Sequence, residues 1–182
     1  MRPEDIDGLT VGGLLDLVAG RRPEDEALVY ADRNLRYTYT EFKAVVEKCA
    51  RSLMALGIDK GDHVAVWGQN VPEWVTLQFA TGKVGAVLVT INPAYKSHEL
   101  KYVLEQSDAA ALFMTEGVGE ANFIQILQGA VSDLSQDDEG ELSLEELPYL
   151  KNVVLMGGEP PQELPIMSFA QFLGRGEEVS AE

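Results

Sequence analysis

An open, doubly wound α/β fold with a mostly parallel sheet is what the sequence predicts, on three observations. Apolar runs without polar alternation recur at residues 64–67, 86–91, 109–114 and 153–156. Strands covered on both faces read this way because neither face meets water. Segments of helical spacing separate these runs through short connections, which implies strand–helix–strand units with right-handed crossovers. Finally, the 182 residues are 46% hydrophobic, enough for a sizeable core. No run reaches the roughly 18–20 apolar residues of a membrane span.

The elements follow in order. Residues 9–19 carry the spacing of a short amphipathic helix opened by Thr10. Residues 27–31 and 35–39 are β-like, and Asp32-Arg33-Asn34 between them suits a hairpin turn. Thr38 and Glu41 have the spacing of a capping box, in which each side chain meets an orphan backbone N–H. Phe42, Val45, Val46, Cys49, Leu53 and Leu56 then form one helical stripe, with Gly57 supplying a left-handed end. Cys49, on that stripe, reads as a small inert core residue. Asn70 and Pro72 suit an N-cap and an early position of a helix that runs to residue 84. Ser97 opens a helix through Gln106, with Leu100, Val103 and Leu104 inward. Residues 122–134 read as a further helix, and Ser168 starts a last short one ending near Gly174.

Charge narrows the partners. Thirty acidic residues against 14 basic ones give a net charge of −16. Such a surface repels nucleic-acid phosphates and anionic lipid headgroups alike. The N-terminus carries Glu4, Asp5 and Asp7 where a signal peptide would be positive. A single cysteine forms no internal disulfide and fits a reducing compartment. A cytoplasmic protein is the expectation.

In open sheets of this class, ligands sit at the carboxyl ends of the strands. Gly68-Gln69-Asn70, Asn92-Pro93-Ala94-Tyr95 and Thr115-Glu116-Gly117 therefore form the candidate ligand side. A phosphate-loop motif is absent from the sequence. The glycine-containing string from Gly117 to Asn122 lacks its third glycine, and Glu116 and Glu120 would repel a pyrophosphate, so it reads as a strand-to-helix turn. The acidic stretch 135–146 meets several demands of a calcium loop. Counted from Ser135, Asp137, Glu139, Gly140 and Glu146 fall at positions three, five, six and twelve. The first ligand is Ser instead of Asp, and Pro148 meets the exit helix at once. A solvated acidic loop is the simpler account. His63 and His98 form no metal pair, and Trp67 and Trp74 read as core. Residue chemistry alone thus reaches an α/β domain with no complete catalytic set.

An ordered series of elements goes further. Arg36-Tyr37-Thr38-Tyr39-Thr40-Glu41-Phe42 resembles the T-Y-x-E-L entry to the first long helix of adenylate-forming enzymes. Leu56-Gly57, Gly61-Asp62-His63-Val64, and Asn70 with Glu73 follow at that family's distances. Gly82 to Val87 then lead into Thr90-Ile91-Asn92-Pro93-Ala94-Tyr95 and Glu99-Leu100, the block most similar to fatty acyl-CoA ligases. The resemblance spans residues 9–175 and is weakest between 117 and 147.

It implies a ligase that activates a fatty acid with ATP to an acyl adenylate and passes the acyl group to coenzyme A, with Mg²⁺ assisting. In that family the phosphate and ribose contacts come from a Gly-rich loop ending in P-K-G, a T-E motif, an Asp and a Lys, and none of these motifs occurs among the 182 residues. Residues 1–182 are accordingly expected to be a truncated N-terminal subdomain, inactive alone. Such a piece would expose an apolar face that favours homo-oligomers. Asn92, Pro93, Ala94 and Tyr95 match a loop near the family's coenzyme A channel or domain interface, although a tight turn accounts for them equally well. A free-standing interaction or dimerisation module and a calcium-binding domain using residues 135–146 are the alternatives.

Overall fold

The computed structural model describes residues 7–131, 134–136 and 142–177. Helix α1 (Val11–Arg21) starts after Thr10, whose Oγ1 accepts the Gly13 N–H at 3.0 Å. It packs closely on α3 (Pro72–Val84). A β-carbon on Gly12 would lie 2.7 Å from Lys83 Cγ, so glycine permits the approach. Lys83 Nζ then reaches both carboxylate oxygens of Asp16 at 2.8 Å.

Strands β1 (Glu26–Tyr30) and β2 (Leu35–Thr38) form the expected antiparallel hairpin. Its turn is a single 3-10 turn, Ala31–Arg33, closed by Asn34 at φ 50°. Helix α2 (Tyr39–Ala55) opens on the capping box read from sequence. Thr38 Oγ1 accepts the Glu41 N–H at 3.3 Å, and Glu41 Oε2 accepts the Thr38 N–H at 2.8 Å. Phe42, Val46, Cys49, Leu53 and Leu56 of its stripe are buried and Val45 is half-buried. Burial pushes the Cys49 thiol far up, so it packs as an inert side chain.

The central sheet is parallel throughout. Its strands are β3 (His63–Trp67), β4 (Val87–Ile91), β5 (Ala109–Met114), β8 (Asn152–Leu155) and β9 (Met167–Ser168), in the order β4-β3-β5-β8-β9. Alternate residues of each central strand enter different cores. Val64 and Val66 join a core built with α1, α2, α3 and α6 (Phe169–Arg175). Ala65 and Trp67 join one built with α4 (Ser97–Gln106), α5 (Phe123–Ala130) and residues 142–150. Helices therefore cover both faces, as expected of a doubly wound sheet.

Several local expectations need correction. Val71, with extended backbone, occupies the N-cap position of α3 in place of Asn70, and Pro72 follows as the first helical residue. Helix α5 stops at Ala130 because Val131 is extended, at φ −125° and ψ 148°. Residues Gly117–Val118 (β6) and Ala121–Asn122 (β7) form a small antiparallel hairpin before α5 instead of a plain turn. Strand β4 is an edge, paired on one side only, and its Val87 is 45% exposed. The two-residue β9 has no sequence periodicity to announce it. Among the described residues, the exposed large hydrophobics lie on α1, β1, α2, β4, α4, β6 and at Tyr149, with Leu9 just before α1.

Candidate active-site edge

Strand order reverses between β3 and β5. From β3 the chain passes through α3 to β4, then back through α4 to β5 on the other side of β3. The two crossover helices lie on opposite faces, with Leu77 and Ala80 in one core and Leu100 and Leu104 in the other. Segments that diverge in this way leave a crevice at the carboxyl ends of the two strands. A cavity of about 200 Å³ opens there, between the ends of β3, β5 and β8 and the β1–β2 turn.

Its floor is Thr115, the residue after β5. The Thr115 N–H donates to Trp67 O at 3.1 Å, continuing the ladder beyond the strand. The side chain is 4% exposed, and its Oγ1 is buried without a hydrogen-bond partner. Gly68 leaves room for that hydroxyl: a β-carbon there would lie 2.9 Å from Thr115 Cγ2 and 3.1 Å from Oγ1. Opposite, Gly157 and Gly158 follow β8 at φ 84° and 71°. A side chain on Gly158 would strike the Glu116 carboxylate.

Arg33 reaches into the crevice from the hairpin turn. Its Nη1 bonds Glu73 Oε1 on the first turn of α3 at 2.6 Å, tying hairpin to helix across the mouth. Glu73 Oε2 is the second buried polar atom without a partner among the described residues. An unmade bond at a buried polar atom typically costs about 1–3 kcal/mol, and of the two only Thr115 lines the cavity. Arg33 and Glu73 cancel in charge, and Glu116 adds a carboxylate on the rim. Val71 and Met156 supply apolar wall.

The sequence had placed Gln69, Thr115, Glu116 and Gly117 on the ligand side, and all four line this cavity. It gave no role to Arg33, Met156, Gly157 or Gly158. A Gly-Gly pair after a strand-like run was the available signal for the last two. Arg33 arrives by tertiary folding and carried none.

Asn92 to Tyr95 lie at the end of β4 and do not line the cavity. Their polar groups serve a tight turn. Asn92 Oδ1 accepts the Ala94 N–H at 2.9 Å, and Asn92 O accepts the Tyr95 N–H at 3.1 Å and the Trp67 indole N–H at 3.2 Å. Tyr95 packs on the core of α4 and α5 while the other three are exposed. Trp67 is fully buried and stacks on Phe123 with centroids 3.7 Å apart, the core role its position suggested.

A larger cleft of about 320 Å³ lies beside β8, β9 and α6, with Lys151 and Arg175 among its lining. Neither unpartnered buried atom lies there, and we place the site at the smaller cavity for that reason. Among the described residues no three His, Cys, Asp or Glu side chains converge to hold a metal. Asp137, Glu139 and Gly140 of the calcium expectation lie outside the described residues.

Residues 15–171, from α1 into α6, match the family described as AMP-binding enzyme. The chain belongs to that family. Among its relatives, YngI of Bacillus subtilis (strain 168), which carries the name of an acyl-CoA synthetase, is 44% identical over 150 residues. That alignment takes in 82% of this chain and 27% of the relative. The mitochondrial medium-chain acyl-CoA ligase ACSF2 of Bos taurus is 36% identical over 87% of this chain and 26% of its own length. The chain thus spans about a quarter of the length of the curated relatives it matches. In fold, the anthranilate CoA ligase AuaEII in complex with anthranoyl-AMP superposes with a TM-score of 0.75 at 23% identity, over 96% of this chain and 30% of that one. The N-terminal domain of FACL13 from Mycobacterium tuberculosis gives 0.70 at 23% identity, over 96% and 37%. The resemblance to acyl-CoA ligases read from the sequence is therefore borne out, and so is the doubly wound α/β fold.

Proposed function

We propose that this chain forms part of the active-site wall of a fatty acid–CoA ligase, which activates a carboxylate with ATP and transfers the acyl group to coenzyme A. The observation that carries the reading is the cavity at the β3/β5 switch point in a chain of the AMP-binding enzyme family. Relatives named for acyl-CoA and medium-chain acyl-CoA chemistry support a fatty acid of that length class. No Mg²⁺ step is assigned to these residues. The chain's own contribution is a rigid floor, the Arg33–Glu73 bridge and a buried hydroxyl. A cytoplasmic setting belongs to this proposal, and a mitochondrial location in cells would contradict it.

The test compares the 182-residue chain with the product of its gene read beyond Glu182. With octanoate, ATP and coenzyme A, the longer product should release pyrophosphate and form a thioester, and the chain alone should form none above background. A longer product that makes no thioester from any straight-chain acid would sink the proposal.

The interaction-module alternative has one observation in its favour. Strand β4, Val-Leu-Val-Thr-Ile, offers an unpaired edge free of charge and proline. Light scattering that shows a monomer at high concentration would remove that alternative, and so would a self-association that survives Val89→Pro. The loop Asn92 to Tyr95, one strand further on, keeps its place in the proposal as a coenzyme A channel or domain interface. Its tight turn, which engages Asn92 Oδ1 and Asn92 O, supports the interface role better.

A further inference from the structure

Thirty acidic residues against 14 basic ones should leave few clefts positive. Yet the cleft of about 320 Å³ beside β8, β9 and α6 is lined, among the described residues, by two cations and no acid. We propose, independently of the ligase reading above, that this cleft binds a phosphate dianion, as free phosphate or as the head of a small phosphate monoester.

The fold fixes where each cation starts. Lys151 precedes β8, where its N–H donates to Ala110 O at 2.9 Å and its carbonyl accepts the Leu142 N–H at 3.0 Å. Arg175 is the last residue of α6, a helix anchored by the fully buried Phe172. Among the described residues neither side chain has an ion pair or a hydrogen bond, whereas Arg22, Arg33, Arg36, Lys43, Lys48 and Lys83 each reach a carboxylate. A helix C-terminus favours a cation on its own account, which explains Arg175 taken alone. It does not explain Lys151 in the same cleft.

Two amides add uncharged donors. Gln171 Oε1 accepts the Ser168 N–H at 2.8 Å, which leaves its amino group to donate. The half-buried Asn152 side chain has no bond among the described residues. Two cations match the two charges of a phosphate, and the amides suit its remaining oxygens. A monocarboxylate would leave one cation unmatched. Leu164 and Met167, both half-buried, offer an ester body an apolar surface. Asp137, Asp138, Glu139 and Glu141 follow the lining residue Gln136 in sequence, and their charge opposes an anion, so binding should be about millimolar.

The experiment follows the backbone amide signals of Lys151, Asn152 and Gln171 in the ¹⁵N-labelled chain, at low ionic strength and about pH 8, where phosphate is a dianion. Inorganic phosphate, phenyl phosphate and benzoate are titrated separately. Both phosphates should move these signals saturably, and benzoate should bind about tenfold more weakly than phenyl phosphate. Tighter binding of phenyl phosphate than of inorganic phosphate assigns the site to a monoester, and equal binding assigns it to free phosphate. Lys151→Gln and Arg175→Gln should each weaken phosphate binding about fivefold, and Lys151→Arg should stay within about twofold of the parent. All three side-chain changes are at exposed positions and should shift the melting temperature by no more than about 2 °C. Lys60→Gln removes the same charge from an exposed lysine outside the cleft and should leave phosphate binding unchanged. Amide signals unmoved by either phosphate, or benzoate bound as tightly as phenyl phosphate, would overturn the inference. So would equal weakening by Lys60→Gln and Lys151→Gln, because phosphate would then be responding to net charge and not to the cleft.

Discussion

The turn after β4 and the turn after β5 stand at the same edge of one sheet, and they treat their polar groups in opposite ways. After β4, Asn92 spends both its side chain and its carbonyl on the turn itself and on the Trp67 indole. After β5, Thr115 leaves its hydroxyl buried and unbonded beside Gly68. The first arrangement is what a stable connection needs. The second is a stability cost retained in a crevice, the kind of feature associated with function. Family-like motif residues mark the first turn. The physical chemistry marks the second.

The largest test of this contrast removes the residue that serves both ends. Trp67→Ala deletes a fully buried indole, its stack on Phe123 and its bond to Asn92 O, and should cost about 3–5 kcal/mol in urea unfolding. A cost below about 1 kcal/mol would mean that β3 does not anchor the Asn92 turn. Next in size, Asn92→Ala loses the bond from the Ala94 N–H and should cost about 1 kcal/mol in urea unfolding.

The smallest effect comes from the far side of the sheet and acts as a control. Burial alone would raise the Asp16 pKa, but bonds and charge from Lys83, and then from Lys43, outweigh it and hold the carboxyl below its usual value. Its folded pKa lies below the unfolded one, so its contribution is complete above the unfolded carboxylate range, about pH 4. That contribution is lost as pH falls through the folded pKa. Asp16→Asn should therefore flatten the loss of stability below about pH 4, and only slightly, because the side chain is 41% exposed. It should leave the difference between the two turns untouched. A change in that difference would mean the two ends of the sheet are coupled through α1 and α3.

Local signals made most of the fold legible. The Thr38–Glu41 capping box, the α2 stripe and the apolar runs of β3, β5 and β8 are written within a few residues of each other, and each is found in place. What stayed hidden depends on distant partners. Strand β4 looks like its buried neighbours in sequence, yet it lies at the edge, because strand order is decided by the crossovers and not by composition. Strand β9 exists only as two residues paired to Val154 and Leu155. At the site, sequence could place Thr115 after a strand. It could not show that Gly68 would sit against the hydroxyl, or that Arg33 would cross from the hairpin to Glu73.

The most direct test of the central claim, that the β5 end keeps a polar group in waiting while the β4 end does not, is equilibrium urea unfolding of Thr115→Val and Asn92→Ala side by side. The account predicts opposite signs: the Val variant more stable by about 1 kcal/mol, the Ala variant less stable by about as much. Equal destabilisation of both would show that the Thr115 hydroxyl is already bonded in the folded chain, and the cavity would lose its claim as a binding site.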